Sequence, residues 1–414
     1  MSEKRKWKMS ATSIALFKRC PYAFWVKYIL GLIPVETKDA LRIGTNWHKV
    51  LEIIGLTPGS ICSCGSLGCQ SQSIITLPDV YDSDPECPIC NGTGYVVKDR
   101  IQAATNYIYK AYENKPESKE EKDWFKERTH LLYALSGYIW YWSAPEHSYE
   151  VLATEIEFEI PVINPETGAK TEATIQGKID KIVRLPDGTV AVNEYKTTSK
   201  DISQDSQYWN RLHLDTQTKL YPYAVQQMQQ AGELEKYGIK ADDPLIRTVM
   251  YDVHRKPGIG MVWLTQKASQ ELVETEMYLG PKFEVVRSID NEFIEINGVI
   301  AGVKPGAKEG TFAIMETPDM LGTRLLNDMV EQPERYFARR VIARTDQELK
   351  DLELDVYNIY QTMKFMHKNN RWWQDEQQCE ATWHCENKQM CYIGVDPTVA
   401  IPDGYKSRWE VDKT

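Results

Sequence analysis

The chain has 414 residues, 42% of them hydrophobic and 26% charged; that balance is ordinary for a folded globular protein and excludes disorder as a description of the whole. The formal net charge of −10 excludes a protein that coats nucleic acid through bulk positive charge, while permitting a local basic groove. No run reaches the ~18–20 apolar residues of a membrane-spanning helix, and the basic start MSEKRKWKMS leads into no apolar secretion core; a cytoplasmic protein with no membrane partner is expected.

Taken in chain order, the stretch from residue 10 to 58 reads as helical. SATSIALFKRCPYAFWVKYIL opens with capping Ser and Thr and then repeats apolar residues at helical spacing, and IGTNWHKVLEIIG forms a second helix. A cysteine-rich insert runs from about Gly59 to Gly94. IQAATNYIYKAYENK and FKERTHLLYALSGYIWYWSAPE are the next helices. The period then changes to two: VLATEIEFEIPVI, ATIQGKIDKIVRL and AVNEYKTTS alternate as half-buried strands, the last two joined by a Pro-Asp-Gly turn, which predicts an antiparallel meander. DTQTKLYPYAVQQMQQAG is an amphipathic helix stopped by Gly232, LIRTVMYDVHRKP a further strand, and TDQELKDLELDVYNIYQTMKFMHKN a long helix leading to the C-terminal cysteines. Gly258 to Arg335 mixes signals.

The nine cysteines are clustered. Clustered thiols without a secretion signal point to metal rather than to disulfides. Cys87-Pro-Ile-Cys90 is a metal knuckle, and a second pair comes from Cys62, Cys64 and Cys69; the spacing suits a closed four-thiolate zinc site, with Cys64, Cys69, Cys87 and Cys90 as the favoured set and Cys62 able to replace Cys64. A polar segment of this size buries little core of its own, so the metal accounts for its folding. Cys379, Cys385 and Cys391 need a fourth ligand. Cys20, at the other end of the chain, is the cysteine left over, with His384 as a local competitor. Spacing leaves an iron–sulfur cluster and a second zinc both open.

The strongest catalytic pattern is Gly177-Lys178-Ile179-Asp180 followed by Glu194-Tyr195-Lys196. Strand side chains repeat every two residues, so Glu194 and Lys196 share a face, and the hairpin brings Asp180 beside them. Carboxylate oxygens suit Mg2+ or Mn2+, and an ammonium beside them suits a metal-assisted hydrolysis of phosphodiesters. Alone, a Glu-x-Lys on a strand is usually a solvated ion pair. Here it stands with His48 on a helix, with Gln217 and Tyr221 four residues apart on another, and with Glu155 at the start of the alternating segment.

In this order, from about Ser10 to Tyr392, these residues resemble the PD-(D/E)XK nuclease superfamily in its RecB-like, AddB-like iron–sulfur branch, which includes phage exonucleases and CRISPR adaptation nucleases. The resemblance implies an α/β restriction-endonuclease-like core, a central mixed sheet flanked by helices. It implies His48, Asp180 and Glu194 as ligands of the catalytic metal with the Tyr195 carbonyl, and Lys196 as the group that positions and activates water. Gln217 would steady the site, Tyr221 would contact DNA, Glu155 would be a supporting carboxylate, and Cys20, Cys379, Cys385 and Cys391 would hold a 4Fe-4S cluster. The expected organisation is a helical part over 1–58, a zinc insert over 59–96, a helical part over 97–145, the nuclease core over 146–345 and the cluster segment over 346–414. The expected function is a Mg2+- or Mn2+-dependent DNA exonuclease, phage-encoded or bacterial, acting from free ends of single strands in the 5′ to 3′ direction, with any helicase or recombinase as a separate partner. The alternative is a non-catalytic DNA-binding accessory of recombination or CRISPR adaptation. A basic track for DNA is expected from Lys4, Arg5, Lys6, Lys8, Lys196, Lys200, Arg339, Arg340 and Arg344, and stacking or cluster packing from Trp372 and Trp373.

Overall fold

A computed structural model describes residues 7–35, 39–62, 64, 84–288, 293–381 and 385–411. Its centre is a six-stranded mixed sheet. The strands are β1 (Trp7–Met9), β2 (Glu150–Ile163), β3 (Lys170–Arg184), β4 (Val190–Thr198), β5 (Thr248–Arg255) and β6 (Phe337–Ala343). The expected meander is present: β2 pairs antiparallel with β3, and β3 with β4. β4 then runs parallel to β5, which pairs antiparallel with β6. Three-residue β1 adds in parallel to β3 at Ala173–Ile175.

A parallel pair needs a crossover, and here it carries helix α5 (Thr216–Gln230). The other main helices, with α5 numbered in chain order, are α1 (Ala11–Arg19), α2 (Asp39–Gly55), α3 (Arg100–Ala111), α4 (Glu121–Trp142), α6 (Pro318–Glu331) and α7 (Asp346–Lys368). One sheet face, with Ile182, Val192, Tyr251 and Val253, packs on α1, α5 and α7. The other, with Tyr195 and Phe337, packs on α2, α3, α4 and α6. Helices on both faces of a mixed sheet give the expected restriction-endonuclease-like α/β architecture.

The mixed stretch after β5 resolves into a satellite with its own small core of Leu264, Leu272, Phe283, Ile294, Ile296 and Ile314. The chain ends meet: Tyr405–Ser407 pairs antiparallel with Leu32–Pro34, and the Trp409 indole lies where a Cβ on Gly31 would stand. None of the described helices is long and apolar enough to cross a membrane.

Two expectations for the basic track are corrected. Arg339 is in edge strand β6; it pairs with Asp252 of β5 (Nε to Oδ2, 2.8 Å) and lies 3.8 Å from the Trp142 ring centre. Arg344 is buried and bonds Thr218 Oγ1, Leu212 O and Glu348. Neither guanidinium is free for phosphate. Lys8 is paired with Glu159 at 3.0 Å, Lys200 is exposed, and Lys4, Arg5 and Lys6 lie outside the described residues. Trp372 is buried against Phe24, which is the packing role, while Trp373 is half exposed.

Candidate active site

The β3–β4 ladder runs inward from Arg184–Val190 and ends at Lys181 opposite Asn193. Beyond it the strands part, and Asp180 and Glu194 face the gap. Asp180 is pinned there because its Oδ2 accepts the Tyr195 backbone N–H at 2.9 Å. Glu194 and Lys196 follow the strand period onto the α5 side, as expected. Helix α5 begins there, with Asp215 capping the Gln217 N–H at 2.7 Å. The Gln217 amide closes a triangle: Lys196 Nζ donates to Glu194 Oε1 (2.7 Å) and to Gln217 Oε1 (2.6 Å), and Gln217 Nε2 donates to the same Glu194 oxygen (2.7 Å). The positive end of α5 therefore faces the place where an anion would sit. Helix α2 reaches in from the opposite layer, and His48 Nδ1 stands 3.7 Å from Asp180 Oδ2.

The donors fit a divalent cation. Glu194 is buried, one of its oxygens is engaged by Lys196 and Gln217, and the other, Oε2, has no hydrogen-bond partner among the described residues. A buried carboxylate oxygen left over in this way is costly unless a ligand takes it. With Asp180, the His48 imidazole and the Tyr195 carbonyl it offers the oxygen and nitrogen donors that Mg2+ or Mn2+ accept.

Burial pushes the Glu194 pKa well above the usual carboxylate range, against the pull of Lys196 and with Asp180 adding to the rise. Burial opposes the charged form of His48, but Asp180 and Glu194 outweigh it and hold the imidazole above its ordinary value. Both groups must lose protons to bind a cation. Mn2+ affinity is therefore expected to fall as pH drops below neutral, with net proton release on binding. Calorimetry in buffers of differing ionisation enthalpy measures this; binding that releases no protons there contradicts ligation by the pair.

Glu155 lies within β2 at a left-handed φ of 53°, forms an ion pair with Lys178, and is raised by burial with further contributions from Glu52 and Asp180. Its carboxylate is close enough to Asp180 to feel that charge. Of the two contacts expected of Tyr221, with the DNA backbone or stacked on a base, its surroundings disfavour the stacking. Its ring is buried 6.0 Å from that of Phe158, and burial raises its pKa strongly, with Glu194 adding to the rise and Gln217 opposing it. Tyr221 thus packs beneath the site and offers no surface for a base.

The cysteine expectations are partly redrawn. Cys62, Cys64, Cys87 and Cys90 converge, all four sulfurs lying within 4.8 Å of one another. Cys62 stands 3.8 Å from Cys87, and Cys64 3.3 Å from Cys90. Zn–S bonds of about 2.3 Å place tetrahedral sulfurs roughly 3.8 Å apart, so the set fits a closed zinc site. Cys62 joins Cys64 instead of replacing it, because Cys62 N–H bonds Gly94 O and draws that sulfur into the core. Cys69 and His384 lie outside the described residues. Burial opposes the thiolate at Cys90, but the neighbouring thiols and the Gly94 and Gly92 backbones bring its pKa below the usual value, while burial raises those of Cys62 and Cys64.

Cys20, Cys379, Cys385 and Cys391 come near enough for their charges to act on one another, but their sulfurs do not converge to metal-holding distance. Burial raises the Cys391 pKa to about 11, opposed by Gln374 and with Cys379, Cys385 and Cys20 adding to the rise. They are less tightly drawn together than the insert's four.

Sequence reasoning missed the polar layer beneath the site. Asp252 Oδ2 accepts from Tyr138 Oη at 2.7 Å as well as from Arg339, and buried Lys181 lies 5.0 Å from the Tyr195 ring centre. The available signal was a charged residue inside TVMYDVHR, a strand otherwise fit for full burial.

No curated protein matches the chain. The model of the PD-(D/E)XK nuclease superfamily matches residues 8–392, a span that takes in β2 to β6 of the sheet and every member of the Asp180–Glu194–Lys196 constellation. The chain belongs to the PD-(D/E)XK nuclease superfamily.

Proposed function

We propose that the protein is a Mg2+- or Mn2+-dependent DNA exonuclease of the RecB-like iron–sulfur branch that degrades single strands from free ends, 5′ to 3′, in phage or bacterial DNA replication, recombination or repair. The observation that carries the catalytic part is the Lys196–Glu194–Gln217 triangle, with one buried Glu194 oxygen left over beside Asp180 and His48. Asp180, Glu194, His48 and the Tyr195 carbonyl would hold the cation, which supplies Lewis-acid stabilisation of the scissile phosphate and acidifies water.

The chain's own groups do the rest. An ammonium has three donors. Lys196 spends two on Glu194 and Gln217, leaving one to orient the attacking water or a phosphate oxygen. Gln217 holds both partners in place. The α5 N-terminus adds partial positive charge toward the phosphate.

Cys62, Cys64, Cys87 and Cys90 would hold Zn2+. Cys20, Cys379, Cys385 and Cys391 would hold a 4Fe-4S cluster that ties the two chain ends beside the nuclease core. The meeting of Leu32–Pro34 with Tyr405–Ser407 supports such a staple, and a strap of this kind favours threading of single strands. A helicase or recombinase would act as a separate partner, in the cytoplasm. Cys385→Ala is expected to lose the cluster's visible absorbance and to lower stability; a protein that stays folded, colourless and fully active sinks the staple.

The substrate reading is tested with linear and circular single strands and with duplex, each labelled, in Mg2+ and Mn2+. Linear single strands should be consumed from one labelled end while circles persist. Cut circles would replace the exonuclease with an endonuclease. No cleavage of any substrate favours a DNA-binding accessory.

A further inference from the structure

The cysteine insert lies in the connection between α2 and α3, and it does not pack as an independent module. Cys87, Ile89 and Cys90 are buried in the same core as Trp47, Leu51 and Ile53 of α2. The insert closes on itself as it leaves α2: Cys62 N–H donates to Gly94 O at 2.8 Å and Val96 N–H to Ser60 O at 2.9 Å. Its exit then grips that helix. Arg100, the first residue of α3, donates from Nη1 to Ile54 O (2.7 Å) and Leu56 O (2.9 Å), carbonyls at the end of α2 that have no intrahelical partner. Further along α3, Tyr107 Oη donates to Asn46 Oδ1 at 3.0 Å, two residues before His48.

The other end of α2 is held differently. Arg42 pairs with buried Glu127 of α4 through Nε and Nη2 at 2.9 and 2.7 Å. The segment of α2 around His48 is thus hydrogen-bonded to α3, the element that follows the insert, beside the packing of Trp47 on Tyr138 and His254, while its first turn is anchored to α4. A clip that closes a long connection removes much of its freedom.

We propose that the four-cysteine site is a positioning device for His48, so that occupancy by a thiophilic divalent cation such as Zn2+ raises the affinity of the catalytic site for its own divalent cation. The proposal rests on the reading of His48 as a ligand of the catalytic metal. Coupling of this kind is reciprocal and typically amounts to about 5- to 150-fold in affinity.

Two full-length variants test it. Cys87→Ser/Cys90→Ser removes half the zinc ligands; Arg100→Gln keeps all the thiols and weakens only the grip on α2. Zinc content, Mn2+ affinity by calorimetry and amide hydrogen exchange along α2 are measured for each, with Asp180→Asn as the control that loses Mn2+ binding and keeps its zinc. The expected result is Mn2+ affinity lowered at least about 5-fold in both variants, with faster exchange confined to Lys49–Gly55 and zinc retained in Arg100→Gln. Mn2+ affinity equal to wild type in Arg100→Gln, or α2 exchange unchanged in both, overturns the proposal. If the double variant does not fold, Arg100→Gln decides alone by the same criterion. A wild type that binds zinc but no Mn2+ removes the catalytic reading and this coupling with it, whereas Mn2+ binding that is blind to both variants removes the coupling alone.

Discussion

Lys196→Ala is expected to reduce kcat for DNA cleavage by about 10²- to 10⁴-fold, the range for loss of a group that positions or moves a proton in the transition state. The fold should survive, because Lys196 is partly exposed and its hydrogen bonds among the described residues go to the site's own Glu194 and Gln217. Removing the ammonium also removes the charge that opposes the rise of the Glu194 pKa. Glu194 then holds its proton to higher pH, so metal binding in the variant should require more alkaline conditions than in wild type. The combination of lost kcat with an alkaline shift in Mn2+ binding separates this role from a structural one. A variant that cleaves at the wild-type rate would remove Lys196 from the mechanism.

Arg339→Ala is the substitution expected to damage stability most among the residues of the sheet. It leaves the Asp252 carboxylate, 1% exposed, without its guanidinium; among the described residues the Tyr138 hydroxyl alone remains on Oδ2. Breaking a buried pair by removing one partner costs about 3–5 kcal/mol. Denaturant unfolding should show a lower midpoint with unchanged slope. The paired replacement Arg339→Met with Asp252→Leu should recover much of the loss, because no uncompensated charge is then left inside. A single variant within about 0.5 kcal/mol of wild type, the range of ordinary surface changes, would place the pair outside the core's energetics.

These two sites differ in how far the sequence reveals them. Asp180, Glu194 and Lys196 are close in the chain, and the strand period together with a Pro-Asp-Gly turn is enough to bring them to one place. His48 and Gln217 come from separate helices in separate layers, so their convergence rested on the ordered resemblance and not on local pattern. The Asp252–Arg339 pair joins residues far apart in sequence. An arginine whose partner is distant reads as a surface charge, so the sequence alone places Arg339 and Arg344 on a DNA track. Strand β1 was unreadable because three residues give no period. Tyr221 has the right spacing from Gln217, but spacing places a residue on a helix face without saying that β2 covers that face with Phe158. At the insert, the Cys87–Cys90 knuckle was legible from two-residue spacing. The choice of its partners was not, because it depends on the Cys62–Gly94 backbone bond and the Ile61–Tyr95 bridge that fold the entry strand back on the exit.

The central claim is that the gap between β3 and β4 is a metal-dependent hydrolytic centre. The most direct measurement is the release of label from end-labelled linear single-stranded DNA in Mg2+ or Mn2+, comparing wild type with Asp180→Asn and with wild type in chelator. The account predicts cleavage by wild type that chelator stops and that Asp180→Asn lowers by at least about 10²-fold, since the carboxylate is lost from the cation site. Cleavage that persists in chelator or in Asp180→Asn, or a wild type that binds DNA but cuts no strand with either metal, would contradict it.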